Sequence, residues 1–343
     1  MSTFKNRILF GFFVSLSFFS ASASEFSFPD SLHVQVWGGA QASDQNAAGI
    51  KGNESGILDA WVTHAFTDAV FCKVYIKGSP TYTTPFIEEA SLDYMKNGFS
   101  AGFGLMSTHI GRAMYYKPFS IYNQFTRISV VWDSYGFGFD LSKDMGGVNV
   151  SGSATLNTRE NAAAHVMLTI ANNQTFCNKL IAGIQTGDID YQDNFFVIGN
   201  DACISIQPFD IHCAVKYQEY QGFGIGNTTM KSGHDFELMT ESRYRATQSL
   251  DICAMIYYQN FDKSFYYDLA QVGFDATYMV VPWIGMYGGY EYQNSLDIVS
   301  HVPELGVAIT PNVKHSLIRL GVESTMTGNV HIDRLVGSLW FLF

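Results

Sequence analysis

The chain has 343 residues, of which 47% are hydrophobic and 15% aromatic, yet only 15% carry charge. That is less charge than a soluble globular domain usually carries, and beyond the N-terminus no run of about 20 apolar residues exists to cross a membrane as a helix. The formal charge of −11 argues against nucleic acid as a partner, because nucleic acid demands a basic surface. Few charges, many aromatics and 31 Gly suit a transmembrane barrel, which spreads apolar surface over alternate residues of many short strands. A secreted β-sandwich or β-helix rich in aromatics is the alternative on composition alone.

The first 23 residues read as an export signal. Lys5 and Arg7 form a positive start, Ile8 to Phe19 an apolar core too short to span as a helix, and Ala21-Ser22-Ala23 a small-residue cleavage pattern. Without residues 1–23 the formal charge is about −13. Residues 24–343 are expected to form a single barrel domain.

From Leu32 onward, short period-2 segments are punctuated by turn residues and no segment has a helical period. Ile57–Phe66 and Ala69–Lys77 form a hairpin around Thr67-Asp68. Ile87–Lys96 and Phe99–Ser107 form another around Asn97-Gly98, the dipeptide best suited to a type I′ turn. Further short turns are expected at Lys143–Gly147, Asn172–Gln174, Pro208–Asp210, Thr247–Ser249, Val281–Trp283 and Thr310–Asn312. Longer polar or Gly-rich connections fall between them, as at 42–56, 78–86, 222–234 and 295–301. Strict alternation of short and long connections is what an asymmetric membrane produces, with tight periplasmic turns and longer external loops. The expectation is an all-β, antiparallel up-and-down transmembrane barrel of 16–18 strands, with 18 the direct count and the C-terminus in the periplasm.

The faces follow one rule along the chain. In Asp235–Ala246 the charged residues Asp235, Glu237, Glu241, Arg243 and Arg245 share a side, while Phe236, Leu238 and Tyr244 take the other. An Arg or Lys in mid-bilayer hydrocarbon costs about 2–4 kcal/mol, so the charged side must face the lumen. By the same alternation Glu89 and Asp93, Lys73, and His212 and Lys216 point inward. The lumen-wall candidates are therefore Lys73, Glu89, Asp93, Lys216, Glu237, Glu241, Arg243 and Arg245. Five cysteines with no CxxC indicate neither a zinc site nor a full disulfide framework. Cys203 and Cys213 flank a turn and are either a cross-hairpin disulfide or two small apolar side chains.

The last strand, about 330–343, carries an alternating apolar face ending in Leu339, Phe341 and Phe343. It is similar to the terminal signal by which bacterial barrels are recognised and inserted, an extended strand that adds to an open sheet edge of the assembly machinery. Glu89-Ala90-Ser91-Leu92-Asp93-Tyr94, the Asn97-Gly98 turn and Phe99-Ser100-Ala101-Gly102-Phe103-Gly104-Leu105 resemble a strand pair of porins of the phosphate-selective O/P-like group. The resemblance covers roughly 57–157 and the C-terminus. It implies a porin of the bacterial outer membrane, with lipid, the barrel assembly machinery and small hydrophilic solutes as partners, and a homotrimer as the assembly. The chain lacks the abundance of Lys and Arg typical of that group, which puts phosphate selectivity in doubt.

In porins a loop after the third ascending strand folds inward and narrows the channel; here that loop is about 108–133. From Thr108 to Trp132 it contains His109, Arg112, Lys117 and Arg127 and no Asp or Glu, and a ladder of Arg and Lys in a narrow pore favours anions. The alternative places these cations at the rim, against lipid phosphates or water. No HExxH, GxSxG or P-loop occurs, and no catalytic, metal or cofactor site is assigned. His234-Asp235 and His331 with Asp333 read as ordinary polar residues near the rim. The leading reading is passive diffusion of small hydrophilic solutes; a surface-exposed barrel acting as adhesin or structural envelope protein is the runner-up.

Overall fold

A computed structural model describes residues 31–43, 51–52, 57–78, 86–114, 129–156, 162–170, 175–185, 194–221, 224–225, 228–229, 233–261, 269–295, 298–310 and 316–342. The proposed signal peptide, residues 1–23, lies outside the described residues.

The described strands are β1 (Ser31–Ser43), β2 (Ile57–Ala65), β3 (Val70–Gly78), β4 (Phe86–Lys96), β5 (Phe99–Arg112), β6 (Ser129–Asp144), β7 (Val148–Leu156), β8 (Ala162–Ile170) and β9 (Phe176–Gln185). They continue as β10 (Asn194–Ile206), β11 (Phe209–Gln221), β12 (Gly233–Thr247), β13 (Leu250–Phe261), β14 (Leu269–Val281), β15 (Ile284–Ser295), β16 (Ile298–Ile309), β17 (Ser316–Thr327) and β18 (Val330–Leu342). A two-residue strand, Lys51–Gly52, also pairs with β1, bringing the sheet to 19 strands. Each long strand runs antiparallel to the next. The last closes on the first, from Gln35↔Leu342 to Ser43↔Arg334, so the sheet is a barrel of 18 long strands without a free edge.

The turns form where local chemistry dictates. Asn97 and Gly98 both have positive φ, 53° and 68°, as a type I′ turn requires. Thr67 Oγ1 accepts from the N–H groups of Ala69 and Val70 at 3.2 and 3.0 Å, and Thr247 Oγ1 does the same for Ser249 and Leu250 at 3.2 and 3.1 Å. A Thr side chain thus takes over a carbonyl's role at the first corner of each turn. The expected short turns lie at one end of the barrel. The long ones lie at the other, with an exception that corrects the expected strict alternation. Between β15 and β16 there are two residues, and between β17 and β18 only Gly328 and Asn329, so these connections are as short as the tight turns at the opposite end.

The two sheet faces have opposite character. Outward-facing Phe103, Phe137, Phe274, Leu305, Val322 and Leu335 are exposed, whereas inward-facing Asp93, His212, Glu237, Glu241 and Glu323 are buried. Water outside such a surface would face a continuous apolar belt, so the barrel is built for a hydrocarbon surround. Cys213 sits on the outer face opposite Ala202, while Cys203 points inward opposite His212 and Cys177, so the Cys203–Cys213 bridge is ruled out by alternation. All five cysteines are free thiols. Replacing outward Val272 by Arg should destabilise the lipid-inserted fold by about 2–4 kcal/mol, whereas Gln271→Arg, one residue away on the inner face, should cost far less. Urea-dependent folding into lipid vesicles measures both.

An inward hairpin as the candidate functional site

The β5–β6 ladder runs from Phe99↔Lys143 to Ile110↔Trp132, with an irregularity between Ile110 and Arg112. Both ends of the expected loop of about 108–133 are therefore strand, because the ladder extends to Arg112 on one side and begins at Ser129 on the other, while residues 115–128 lie outside the described residues. The two strands do not stay in the wall. Their far end contacts β10, β11 and β12, which are separated from β6 by β7, β8 and β9. Only a path across the barrel interior makes that contact.

Hydrogen bonds fasten the crossing. Gly111 N–H donates to Asp201 Oδ2 at 3.2 Å, and Met114 N–H donates to Glu241 Oε2 at 2.6 Å. His212 lies between these carboxylates and is fully buried; its Nε2 is 2.5 Å from Asp201 Oδ1 and its Nδ1 2.9 Å from Glu241 Oε2. A ring with a carboxylate at each nitrogen satisfies both when both nitrogens carry protons. Lys179 adds a second cation, 3.6 Å from Asp201. Asp201 and Glu241 are thus buried charges with charged partners, the condition on which buried carboxylates are tolerated.

Apolar packing does the rest. Val130, Val131 and Trp132 are all buried, although successive strand residues point to opposite faces. Both faces of the segment are therefore covered, as befits a strand passing through an interior. They pack with Ile110 against Ile181, Val197, Ala214, Met239, Met255 and Tyr257. The wall supplies sockets: a Cβ on Gly183 would lie 2.6 Å from Trp132 Cζ3, and one on Gly199 would lie 2.3 Å from Val131 Cγ1. Gly111 has φ +73°, and its Cβ would come within 2.6 Å of Val131 Cγ2 and 3.0 Å of Ala214 Cβ. Any side chain there would strain the backbone and push the hairpin off the wall.

Of the residues singled out in the sequence, His109 is exposed and pairs with Asp133 at 2.9 Å, and Arg112 is exposed at the end of β5. Lys117 and Arg127 lie outside the described residues. Lys73, Glu89, Asp93, Lys216, Glu237, Glu241, Arg243 and Arg245 are on inward-facing strand positions, and several of them form local pairs. Lys73 is 3.8 Å from Asp93. Lys216 pairs with Glu237 and, at 3.2 Å, with Asp235, and Glu237 also accepts from Tyr257 Oη at 2.8 Å. Arg243 grips Asp251, with Nε donating at 2.7 Å, and Arg245 pairs with Asp210. Leu339 and Phe341 fall in β18, which seals the barrel, and Phe343 lies outside the described residues. Asp201 and the role of His212 as a bridge were not apparent from the sequence.

On the outer face near the long-loop end, Ser324, His331 and Asp333 come together. Ser324 Oγ is 2.6 Å and Asp333 Oδ1 3.0 Å from the same nitrogen, His331 Nε2. A Ser–His–acid relay needs the acid on the other ring nitrogen, where it holds the tautomer. This trio is a cross-strand polar cluster.

A closed antiparallel barrel with an apolar exterior, a charged interior and a hairpin folded across its lumen has the architecture of outer-membrane porins. The solved structures it resembles bear this out at the level of fold. They include an anion-selective porin from Comamonas acidovorans (11% identity, TM-score 0.57, covering 91% of this chain and 99% of that one). Others are OmpT of Vibrio cholerae in a trimer form (8% identity, TM-score 0.57, 91% and 98% covered) and OccK10 (OpdN) of Pseudomonas aeruginosa (10% identity, TM-score 0.57, 91% and 98% covered). No protein-family model and no curated protein matches the sequence.

Hydrogen bonds to charged groups contribute about 1.5–3 kcal/mol each, so His212→Ala, which unbalances both carboxylates, should loosen the crossing. Amide hydrogen exchange at Gly111–Met114 should then accelerate about ten- to a hundred-fold, while the β8–β9 ladder stays protected. Equal protection in both proteins would show that the bridge does not hold the hairpin.

Proposed function

We propose that the chain is an outer-membrane porin, through which small hydrophilic solutes and ions diffuse passively past the β5–β6 hairpin. The observation that carries this reading is the hairpin itself. A barrel serving only as an anchor for surface loops has no use for a segment latched across its interior. Two-residue connections at the long-loop end also disfavour the adhesin reading, since they leave little to present.

In this reading residues 1–23 direct export and are removed. The β18 strand, ending Leu339, Phe341 and Phe343, is recognised by the barrel assembly machinery, and the short turns face the periplasm. One V. cholerae neighbour is described in a trimer form, which supports a homotrimer here. Cofactors have no part in the mechanism.

Selectivity in this reading follows from the distribution of cations between wall and hairpin. Along the wall the cations pair with acids, as in Lys179–Asp201, Lys216–Glu237, Arg243–Asp251 and Arg334–Glu323. An anion preference would come from the stretch of the hairpin without Asp or Glu, Thr108 to Trp132, which holds His109, Arg112, Lys117 and Arg127. A porin described as anion-selective is among the structural neighbours. Vesicles containing the protein should swell in small sugars and resist larger ones; absence of any size-limited permeation rejects the porin reading. In a salt gradient the reversal potential should show a modest anion preference that falls on joint Arg112→Ala and Lys117→Ala substitution. A cation preference unaffected by those changes would refute the hairpin as the selective element.

A further inference from the structure

A second group of charges lines the inner face on β14–β17, away from the hairpin. Asp275, Glu291, Glu304 and Glu323 are each more than nine-tenths buried. Strand register sets them side by side. Glu304 stands directly opposite Glu323, and Gly289 stands between Glu304 on one neighbour and Asp275 on the other. Two guanidinium groups face these carboxylates: Arg334 Nη1 donates to Glu323 Oε1 at 2.6 Å, and Arg319 approaches Asp275 at 3.9 Å. Among the described residues, these four carboxylates outnumber the two guanidinium groups.

That excess has a location. Oε2 of Glu304 and Oε2 of Glu323 are buried with no hydrogen-bond partner among the described residues. The Glu304 carboxylate lies over Gly289, in the room a Cβ there would need, which would sit 2.5 Å from Oε1. Beside it the Tyr287 ring lies over Gly306 and Gly321, with Arg319 packed on it at 5.4 Å.

Carboxylates removed from water without donors are costly, and adjacent like charges add to that cost. A ligand that brings positive charge and its own N–H donors relieves both. Among the described residues no group of three or more His, Cys, Asp or Glu could hold a metal ion, so the fitting occupant is larger and carries its charge on nitrogen. We propose that Glu304 and Glu323 form a wall subsite for organic cations bearing a guanidinium or primary ammonium group. Planar N–H donors suit paired carboxylate oxygens, as in Arg–carboxylate recognition.

The proposal rests on the porin reading only for the route by which a solute reaches the wall. Its test needs no ion flow. Agmatine, an organic cation with both groups, is titrated into the folded, detergent-solubilised protein by calorimetry, with glutamate as the anionic control. The wild type should bind agmatine and not glutamate, and Glu304→Gln and Glu323→Gln should each weaken agmatine binding at least ten-fold. Each variant is first shown to be folded by its heat-modifiable gel mobility. No agmatine binding, or equal affinity in wild type and both variants, overturns the subsite. Binding by a protein that conducts no ions would keep the subsite and reject the porin reading, whereas conduction without binding would do the reverse.

Discussion

The interior depends on one arrangement: two buried carboxylates, Asp201 and Glu241, bridged by His212 and each accepting a backbone N–H from the same hairpin. Each member needs the others. Without the imidazole, two carboxylates would face each other in a dry site; without the carboxylates, the Gly111 and Met114 amides would lose their acceptors inside the barrel. A buried polar network of this kind is stabilising when complete and costly when one member is missing. It therefore fixes a single position for the hairpin.

Apolar packing and charge act at different points along the crossing. Val131 and Trp132 sit in sockets made by Gly199 and Gly183, which set how closely the hairpin approaches the wall. The hydrogen bonds at Gly111 and Met114 set where it ends. Together they occupy the β8–β13 side of the lumen and leave the β14–β18 side, with its acidic wall, to face the remaining space. The outer surface reverses this order, with Phe137, Phe274, Leu305 and Val322 turned to the membrane.

Much of this architecture was legible in the sequence because barrels are built from local rules. Turn residues such as Thr67, Asn97-Gly98 and Thr247 end strands by their own hydrogen bonding, and side-chain alternation assigns faces without knowledge of partners. The two-residue connections near the C-terminus were hidden because polar residues there, such as Gln293, Asn294 and His301, belong to strands reaching the rim. The Cys203–Cys213 bridge failed on parity: residues an even number apart around a two-residue turn land on opposite faces. The latch was least legible. His212 meets Glu241 only once β11 pairs with β12, and Asp201 reaches it only once β10 pairs with β11. Val130-Val131-Trp132 held a signal, since a run of apolar residues in an alternating chain marks a strand covered on both faces.

The central claim is that the latched hairpin narrows the lumen. Single-channel conductance of the wild type compared with a variant in which residues 113–128 are replaced by a two-residue turn, together with Gly111→Asp to unseat the remaining strand ends, tests it most directly. The hairpin account predicts a several-fold larger unitary conductance in the variant, with the barrel still folded. An unchanged conductance would contradict it.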